Sequence, residues 1–414
     1  MKTKMYKRKC IGAAALLASL LTVTGNAFAA PCTVPGSYPT IQQAVNDTTC
    51  DPIKVAPGTY NENVTILRSV TINGAQAGNN DFVTRSANPA GESIVNGPLS
   101  TGVAVFSISA ADVTIDGFTI KNAVTAFSAS GIAVRAGGDD AAIMNNIFDG
   151  ITTTDLSGNG TAQAIYLTSG GADGVNIESN EMKNVHSARS AKGVLIGDNG
   201  PSNNPSQNVQ VKNNSIHDIK SDTRGGYGVS VANVLNVSGL KITGNSFSAI
   251  SGGGWVHAVG LEGDTPGVMV NNNDFSNLNG SVTDTRAIWI ESEDVSFASG
   301  QAHGNNFNRP ATQYGIAVDP ALSGGPFDAT CNWWNSPSGP TTASNPSGTG
   351  ASVGPNVSYN PWLIAPGPGG SCFGGNVPTT ATQCKNGGWT SRVRADGSTF
   401  KNQGDCIQYV NTGK

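Results

Sequence analysis

The chain has 414 residues, only 13% of them charged, and its 28 acidic residues outnumber its 24 basic residues. This acidic excess disfavours DNA or an anionic lipid surface as a partner. Glycine, at 53 residues, is nearly twice as frequent as its usual share of about 7%, which indicates many turns. β-Branched and aromatic residues recur at regular intervals, which is not typical of a disordered chain.

Residues 1–29 have the pattern of a signal peptide. The basic start "MKTKMYKRK" precedes an apolar run, and Ala27, Phe28 and Ala29 form a small-residue cleavage site. Cleavage removes five of the 24 basic residues and leaves 19 against 28 acidic ones, a net charge of −9. No later apolar run approaches the roughly 20 residues of a membrane span. We therefore predict a secreted protein, located outside the cell or at its surface.

Six cysteines follow the predicted signal peptide, and an even number in an exported chain predicts disulfides. Pairing between sequence neighbours is the simplest arrangement, although the sequence leaves other pairings open. The neighbouring pairs are Cys32–Cys50, Cys331–Cys372 and Cys384–Cys406.

A nine-residue pattern recurs in the middle of the chain, as in "IMNNIFDGI", "IESNEMKNV" and "ITGNSFSAI". Each copy has an Asn two places before a large apolar residue, at intervals of 27 to 34 residues. These asparagines are Asn146, Asn180, Asn214, Asn245, Asn273, Asn305 and Asn332. We interpret them as scaffold, because Asn tolerates a left-handed turn and its amide can bond from one repeat to the next.

A second motif, such as "GIAV" at 131 and "AIWI" at 287, runs in step with the first. Two short alternating segments per repeat, bounded by Gly, Asn or Asp, predict strands and turns. A period near 30 residues without a helical stripe predicts a β-solenoid whose successive coils pair in parallel. Alternation places three apolar columns inside the tube, and they start at Ile132, Val134 and Phe148.

Two segments carry a resemblance to a known superfamily. "TIQQAV…IKVAPGTYNENVTILRSVTINGA" (40–75) resembles the opening of right-handed parallel β-helix proteins of the pectin-lyase-like superfamily. "CNWWNSPSGPTTASNPSGTGASVGPNVSYNPWL" (331–363) resembles the closing segment of many secreted bacterial members. The resemblance covers residues 32–363 and implies an all-β, right-handed parallel β-helix. It also implies a capping helix around Ile41, Ala44 and Val45.

The composition changes after Leu363. Residues 366–380 read as a Pro/Gly/Thr linker, and the segment from Cys384 resembles a small two-Cys tail module of other secreted bacterial proteins. Residues 381–414 carry five basic and two acidic residues, opposite in sign to the body. We predict a signal peptide (1–29), an N-terminal cap with first coils (30–95), β-helix repeats (96–365), a linker (366–380) and a tail module (381–414).

The superfamily's catalytic patterns do not carry over to this chain. Gly58, Tyr60 and Glu62 match the start of pectin methylesterases, but the catalytic Asp-Phe-x-Phe-Gly strand is missing. Of the polygalacturonase pattern, only a "GGDD" segment and a distant "HG" pair are present. The fold therefore leaves the activity open.

The repeat period places several charged residues at equivalent positions of successive coils. Glu262, Glu291 and Asp319 follow the second motif in three successive coils, and His257 and Arg286 precede it in two. We predict catalytic residues at Glu262, Glu291, Asp319, Arg286 and His257, and substrate-binding residues at Trp289, Tyr166 and Lys192. Stacked carboxylates also suit a hard cation, so Glu262, Glu291 and Asp319 are a predicted calcium site. The opposing interpretation is that acidic residues at strand ends are solvated and discourage edge pairing.

These features predict a monomeric protein that binds or cleaves an extracellular polysaccharide. Cleavage would follow a calcium-assisted lyase route or a hydrolase route with carboxylates as acid and base. The alternative is a non-catalytic surface, matrix or adhesion protein that uses the tube as a rigid spacer and the tail for attachment. The absent catalytic motifs favour this alternative. The sequence leaves the substrate, the metal requirement and the role of the tail open.

Overall fold

The structure is a computed structural model. It describes residues 32–97, 104–124, 128–154, 160–168, 170–197, 204–232, 236–280, 284–292, 294–374, 376–394 and 398–413. The predicted signal peptide lies outside these residues. In the part of the chain that is described, no helix is long and apolar enough to cross a membrane. The residues beyond the predicted signal peptide form one compact unit.

The described residues form many short strands and few helices. The strands of the first half are β1 (Cys32–Val34), β2 (Ile53–Val55), β3 (Gly58–Asn61), β4 (Val64–Ile66), β5 (Val70–Asn73), β6 (Ser93–Asn96), β7 (Ala104–Ile108), β8 (Val113–Asp116), β9 (Phe118–Val124), β10 (Ser128–Val134), β11 (Ala142–Met144), β12 (Ile147–Thr153), β13 (Thr161–Leu167), β14 (Asn176–Glu178), β15 (Glu181–Lys183), β16 (Val185–Ser187) and β17 (Ser190–Ile196).

The second half continues with β18 (Gln210–Lys212), β19 (Ser215–Ser221), β20 (Gly226–Val231), β21 (Lys241–Thr243), β22 (Ser246–Gly252), β23 (Val256–Leu261), β24 (Met269–Asn271), β25 (Asp274–Ser276), β26 (Leu278–Gly280), β27 (Thr285–Ile290), β28 (Asn306–Asn308), β29 (Tyr314–Val318), β30 (Phe327–Asp328), β31 (Pro340–Thr341), β32 (Gly350–Val353), β33 (Val357–Ser358), β34 (Trp362–Leu363) and β35 (Cys372–Gly374). The α-helices are α1 (Ile41–Asn46), α2 (Phe82–Ala87), α3 (Ala381–Cys384) and α4 (Gln403–Thr412), and 3₁₀ turns occur at Pro89–Gly91, Phe297–Ser299 and Gly388–Ser391.

Three long sheets run along the tube. Sheet A has the order β1-β2-β5-β8-β11-β14-β18-β21-β24, and sheet C has the order β4-β7-β10-β13-β17-β20-β23-β27-β29-β32-β31. Sheet B has the order β3-β6-β9-β12-β15-β19-β22-β25-β28, with β16 and β26 pairing beside this path. Neighbouring strands come from successive coils and pair in parallel. The predicted all-β parallel solenoid is thereby confirmed.

The three predicted apolar columns fill the tube. Their members from Ile132, Val134 and Phe148 onward are at most 1% exposed. The aromatic column ends in a stack, in which the Phe247 and Phe275 ring centroids lie 5.1 Å apart. Each buried aliphatic or aromatic side chain contributes roughly 1.5–3 kcal/mol, so the columns supply most of the stabilisation.

The small first residue of the second motif leaves room for this aromatic column. A Cβ added at Gly131 would lie 2.7 Å from the Phe148 ring, and one at Gly228 would lie 2.4 Å from the Phe247 ring. Contacts this short force neighbours to move. Glycine at 131 and 228 is therefore a packing requirement, since a Cβ there would collide with the aromatic ring below it.

The repeated asparagines form a buried ladder. The side-chain Oδ1 of Asn245 accepts hydrogen bonds from the backbone N–H and the Nδ2 of Asn214, at 2.9 and 3.0 Å. Its Nδ2 donates to the carbonyl oxygen of Val211 at 2.9 Å and to Asn273 Oδ1 at 3.0 Å. The left-handed turn falls one residue earlier, for example at Gly244 (φ 68°). The ladder interpretation is confirmed, and the placement of the turn on the ladder Asn was wrong.

The N-terminal helix α1 joins the main core. Its Ile41, Ala44 and Val45 are buried in the principal hydrophobic cluster. The Thr40 side chain caps the helix, and the Glu62 carboxylate accepts from the first two helical N–H groups at 2.9 and 3.0 Å. The Gly58–Glu62 segment thus fixes the helix in place through its carboxylate.

Three disulfides join the pairs that lie closest in sequence. They are Cys32–Cys50, Cys331–Cys372 and Cys384–Cys406. The second bond and the antiparallel pairing of β34 with β35 give structure to the segment predicted as a linker. The tail has a small core of its own, in which Cys384, Phe400 and Cys406 are buried.

Candidate functional site

The outer face of sheet C brings most of the predicted site residues together. Strand pairing aligns equivalent residues of successive coils, about 4.8 Å apart. One outward column, which we call the central column, consists of Ser130, Gln163, Lys192, Tyr227, His257, Arg286 and Tyr314. The predicted alignment of His257 with Arg286, and of Lys192 two coils before His257, is present in this register.

A groove with a volume of about 580 Å³ runs along this face. Its walls include residues of six successive strands of sheet C, from β10 to β27, so it spans about 24 Å. Six of the predicted site residues line it: Glu262, Glu291, His257, Trp289, Tyr166 and Lys192. Arg286 lies beside the groove, and Asp319 is outside its lining.

The three predicted carboxylates follow sheet C at equivalent positions. The backbone N–H of Glu262 donates to a carbonyl oxygen of the preceding coil at 3.2 Å. The backbone N–H groups of Glu291 and Asp319 make the equivalent hydrogen bond at 2.9 and 2.8 Å. Their side chains have different surroundings. The Oδ1 atom of Asp319 accepts from the backbone N–H of Ala321 at 2.8 Å, which turns it toward its own loop.

Tyr227 holds the side chain of Glu262. Its hydroxyl donates to Glu262 Oε1 at 2.5 Å and accepts from the indole N–H of Trp255. The phenol is 3% exposed. Burial, followed by the charge of Glu262, raises the pKa of Tyr227 well above its usual range. The hydroxyl therefore keeps its proton and stays a donor to Glu262.

Two glycines make room for this arrangement. A Cβ at Gly260 would lie 3.1 Å from the Tyr227 ring, so the ring packs directly on the backbone there. A Cβ at Gly225 would lie 2.3 Å from Trp255 Nε1 and 2.5 Å from Tyr227 Cε2. Both positions are glycine because a larger residue would displace the rings that orient Glu262.

His257 is buried and neutral at the centre of the groove. It is 4% exposed, and burial lowers its pKa to about 3, with Glu262 opposing and Arg286 adding to that shift. Its Nε2 lies 3.2 Å from Asp284 Oδ1 and 3.4 Å from Arg286 Nη1. Because Arg286 also pairs with Asp284, the aspartate is shared between the guanidinium and the imidazole.

Trp289 does not offer the open aromatic surface that the sequence predicts. The guanidinium of Arg286 lies 3.8 Å from its ring centroid, and the His257 ring centroid is 5.8 Å away. Trp289 is consequently only 8% exposed. Its main role in this structure is to pack against Arg286 and His257, whereas the half-buried Tyr166 keeps part of its surface in the groove.

Lys192 lies against the other side of Tyr227. Its Nζ is 4.9 Å from the Tyr227 ring centroid and donates to Ser230 Oγ at 3.2 Å. Desolvation lowers the pKa of Lys192, and the charge of Glu262 opposes this effect. The ring of Tyr227 and the hydroxyl of Ser230 thus hold the Lys192 ammonium in the groove.

Three buried polar atoms along the central column have no hydrogen-bond partner among the described residues. They are Gln163 Oε1, His257 Nδ1 and Arg286 Nε. Buried polar atoms are almost always bonded, because leaving one unpaired costs roughly 1–3 kcal/mol. These three atoms lie in one outward column, whereas the amides of the asparagine ladder are bonded at both ends.

The carboxylates do not form the predicted calcium site. Among the described residues, no group of three or more His, Cys, Asp or Glu side chains is arranged to hold a metal ion. Glu262 is turned toward Tyr227, and Asp319 toward the backbone of its own loop. The donor set therefore does not fit calcium, and no step below involves a metal ion.

Several groove residues were not predicted from the sequence, including Tyr227, Trp255, Gln163 and Asp284. Tyr227 and Gln163 occupy the same column as His257, one and three coils earlier. The repeat period was therefore enough to find them. The side-chain partners of Trp255 and Asp284 depend on how loops fold over the sheet, and no periodic signal marks them.

No family model and no curated protein match this chain. Among solved structures, it is similar to the catalytic domain of a GH87 alpha-1,3-glucanase in complex with tetrasaccharides, at 14% identity and a TM-score of 0.33, over 80% of this chain and 67% of that one. The same domain in complex with nigerose gives 15% identity, with the same TM-score and coverage.

A third similar structure is the A-module of the mannuronan C-5 epimerase AlgE6 of Azotobacter vinelandii. Its identity is 12% and its TM-score 0.21, over 77% of this chain and 93% of that one. Such low values transfer no activity to this chain. Membership of the pectin-lyase-like superfamily stays a prediction, and the function is argued below from the groove itself.

Proposed function

We propose that this protein binds a polysaccharide in the groove of sheet C and hydrolyses its glycosidic bonds with Glu262 and Glu291. The observation that carries the proposal is the position of these two carboxylates at equivalent places of adjacent coils, both lining the same groove. Two carboxylates that flank one bond are the common requirement of glycoside hydrolysis.

The length and lining of the groove favour a chain-like ligand. A span of about 24 Å exceeds a single sugar, and the groove follows the direction in which coils repeat. Its walls alternate half-buried rings such as Tyr166 and Trp255 with hydroxyl, amide and charged side chains. Apolar ring faces with a few fixed polar groups are typical of specific ligand sites.

The two glutamates have different surroundings, which favours different roles. Glu262 accepts the hydrogen bond of Tyr227 and is held in one orientation, as a nucleophile requires. Glu291 is the acid and then the base. It protonates the glycosidic oxygen while a Glu262 oxygen bonds to the anomeric carbon, and the leaving sugar departs. Water, deprotonated by Glu291, then displaces Glu262 and releases the second product.

The spacing predicts the stereochemical outcome. Equivalent positions of adjacent coils lie about 4.8 Å apart. Retaining enzymes place their two carboxyl groups about 5 to 5.5 Å apart, whereas inverting enzymes leave room for a water between them. The backbone spacing of Glu262 and Glu291 is closer to the retaining arrangement, and we therefore expect hydrolysis with retention of the anomeric configuration.

Single substitutions test this proposal. Glu262→Gln and Glu291→Gln should each lower kcat on the cleaved polysaccharide by about 100-fold or more. Affinity for that polysaccharide should stay within a few-fold of wild type, because glutamine keeps the shape of each side chain. Glu178→Gln is a matched control on the outer face of sheet A, where Glu178 pairs with Lys212 at 3.1 Å, and it should leave kcat unchanged.

Product analysis separates hydrolysis from elimination. Reducing ends without unsaturated sugars support hydrolysis, whereas unsaturated products would show a lyase and contradict the assigned roles. Full activity in Glu291→Gln would remove Glu291 as the acid. Three disulfides fit an oxidising compartment, so we propose that the reaction occurs outside the cell.

A non-catalytic role is the second proposal, and the separate core of the tail favours it. Cys384, Phe400 and Cys406 are buried together, apart from the main core. In this case the solenoid is a spacer and the tail attaches it to a cell surface or matrix. Deleting residues 381–414 should then abolish attachment to that surface while the solenoid stays folded. Retained attachment after the deletion would contradict this role.

A further inference from the structure

The end of the groove that lies farthest from the two glutamates has a distinct lining. Ser128, Thr161 and Ser190 align in three successive coils, and the hydroxyls of Ser128 and Thr161 lie 3.2 Å apart. Gln163 is next to this column and also lines the groove. We call these four residues the hydroxyl end. All four side chains are uncharged and polar, unlike the region around Glu262.

Gln163 is bonded at only one end of its amide. Its Nε2 donates to Ser130 Oγ at 2.8 Å and to Ser128 Oγ at 3.2 Å. Its Oε1 has no partner in the described part of the chain, although the residue is 2% exposed. A glutamine with a purely structural role would bond at both ends, as every ladder asparagine does. The two hydrogen bonds of Nε2 therefore fix the side chain of Gln163, and Oε1 can accept a hydrogen bond from a ligand.

The register fixes how far Gln163 is from the proposed reaction centre. Gln163 lies in β13, and Glu262 follows β23, three coils further along sheet C. Three coil spacings correspond to about 14 Å. A pyranose unit in an extended chain advances by a distance similar to one coil spacing. A sugar at Gln163 therefore belongs to the same chain as the cleaved bond but lies several units from it.

We propose that the hydroxyl end is a distal subsite that binds an uncharged sugar unit, with a sugar hydroxyl donating to Gln163 Oε1. This inference rests on the proposed function, because it assumes that a glycan occupies the groove. An uncharged sugar suits this position, since a bound carboxylate would place a second acceptor against Gln163 Oε1. The neighbouring cation, Lys192, is held one coil further along by Ser230 and the ring of Tyr227.

A glutamine that binds a distal sugar makes affinity depend on the length of the glycan, whereas a glutamine with a structural role does not. Only chains long enough to extend from Glu262 to Gln163 gain its hydrogen bond. Affinity and kcat/KM should rise with chain length, and this rise should depend on Gln163. For short oligosaccharides that occupy only the region of Glu262 and Glu291, affinity and kcat/KM should not change when Gln163 is substituted.

The test uses the full chain and size-fractionated neutral glucan oligosaccharides, from disaccharides to octasaccharides. Binding is measured by calorimetry, and cleavage by product analysis. In Gln163→Leu, affinity for the longest chains should fall roughly three- to tenfold, and affinity for the shortest should not change. Gln210→Leu, on sheet A away from the groove, is the matched control and should behave as wild type. Thermal unfolding of each variant reports whether it is folded.

The outcomes separate the subsite from the reaction. Equal losses on short and long chains would show that Gln163 is structural, and no loss on long chains would show that the subsite does not exist. Binding with the expected length dependence but without cleavage would support the subsite and overturn the hydrolytic role. Absence of both binding and cleavage for the glucan series would overturn the assignment of an uncharged sugar and the groove's role together.

Discussion

The asparagine ladder and the groove of sheet C are both built from equivalent positions of successive coils. They differ in what fills those positions. The ladder repeats one residue from Asn146 to Asn332, and every amide in its middle is bonded to the coils on both sides. The central column changes residue at every coil, and within the described ranges Gln163 Oε1 and His257 Nδ1 have no hydrogen-bond partner.

This contrast separates scaffold from site within one architecture. A position that every coil must satisfy in the same way is occupied by the same residue and saturated with hydrogen bonds. A position without that constraint can hold a different side chain in each coil, as the central column does. Recurrence along a solenoid is therefore evidence of a structural role, and departure from recurrence on a fixed column is evidence of function.

The largest effect should come from breaking the ladder. Asn245→Ala removes four hydrogen bonds, and it leaves the backbone N–H of Asn214 without its acceptor and Asn214 Nδ2 with only the carbonyl oxygen of Ile177 as acceptor. We expect a loss of roughly 3 to 5 kcal/mol in the free energy of unfolding. Chemical denaturation measures it. Asn279→Ala is the control. It removes an exposed amide of sheet B that donates to Asn277, and it should cost less than about 0.5 kcal/mol.

A glycine substitution should alter the groove while preserving the tube. In Gly225→Ala the new Cβ collides with Trp255 and Tyr227, so both rings must shift away from Glu262. We expect roughly 1 to 3 kcal/mol of destabilisation and at least about a tenfold fall in kcat/KM, measured on the folded variant. Gly325→Ala, where the nearest atom would be 3.6 Å from the Cβ, should change neither quantity.

A buried carboxyl beside the groove should make stability depend on pH, in contrast to the uncharged ladder. Burial raises the pKa of Asp294 to about 6, with the charge of Asp264 adding to it. Its backbone N–H donates to the carbonyl oxygen of Glu291 at 3.0 Å. The folded state holds this proton more tightly than the unfolded chain, where the pKa of Asp is about 3.9. Its contribution is therefore complete below about pH 4 and is lost as the pH rises through about 6.

Denaturation at a series of pH values tests this linkage. Between about pH 4 and pH 7 the wild type should lose about 2 kcal/mol of stability through this group. Asp294→Asn removes the titrating proton and should flatten the curve in that range. A curve of unchanged slope in Asp294→Asn would assign the pH dependence to another group.

The smallest effect should come from one hydroxyl. Tyr227→Phe removes the donor to Glu262 and the acceptor of Trp255. We expect a loss of about 1 kcal/mol in stability and a three- to tenfold fall in kcat. Tyr38→Phe removes a similar hydroxyl–carboxylate bond, to Asp47, far from the groove. Because Tyr38 is more exposed than Tyr227, this change should cost less stability, and it should leave kcat unchanged. An equal fall in kcat in both variants would contradict the role of Tyr227.

Much of the site followed from periodicity. The repeat placed Glu262, Glu291 and Asp319 at equivalent positions and His257 beside Arg286, as the strand register shows. Side-chain contacts did not follow. Trp289 was predicted as an open platform, but Arg286 covers it. The carboxylates were predicted to hold calcium, but each has its own local surroundings. Backbone register is periodic and thus readable, whereas side-chain orientation depends on neighbours several residues away.

The sequence by itself determined the coil, its parallel pairing, its three buried columns and the alignment of charged residues on one face. These properties depend on residue periodicity, because one set of backbone hydrogen bonds repeats in every coil. Only the tertiary structure decided that Tyr227 reaches over Gly260 to Glu262, that His257 is neutral and that Gln163 keeps one end of its amide unbonded. These depend on burial and on contacts between coils, which no single repeat contains.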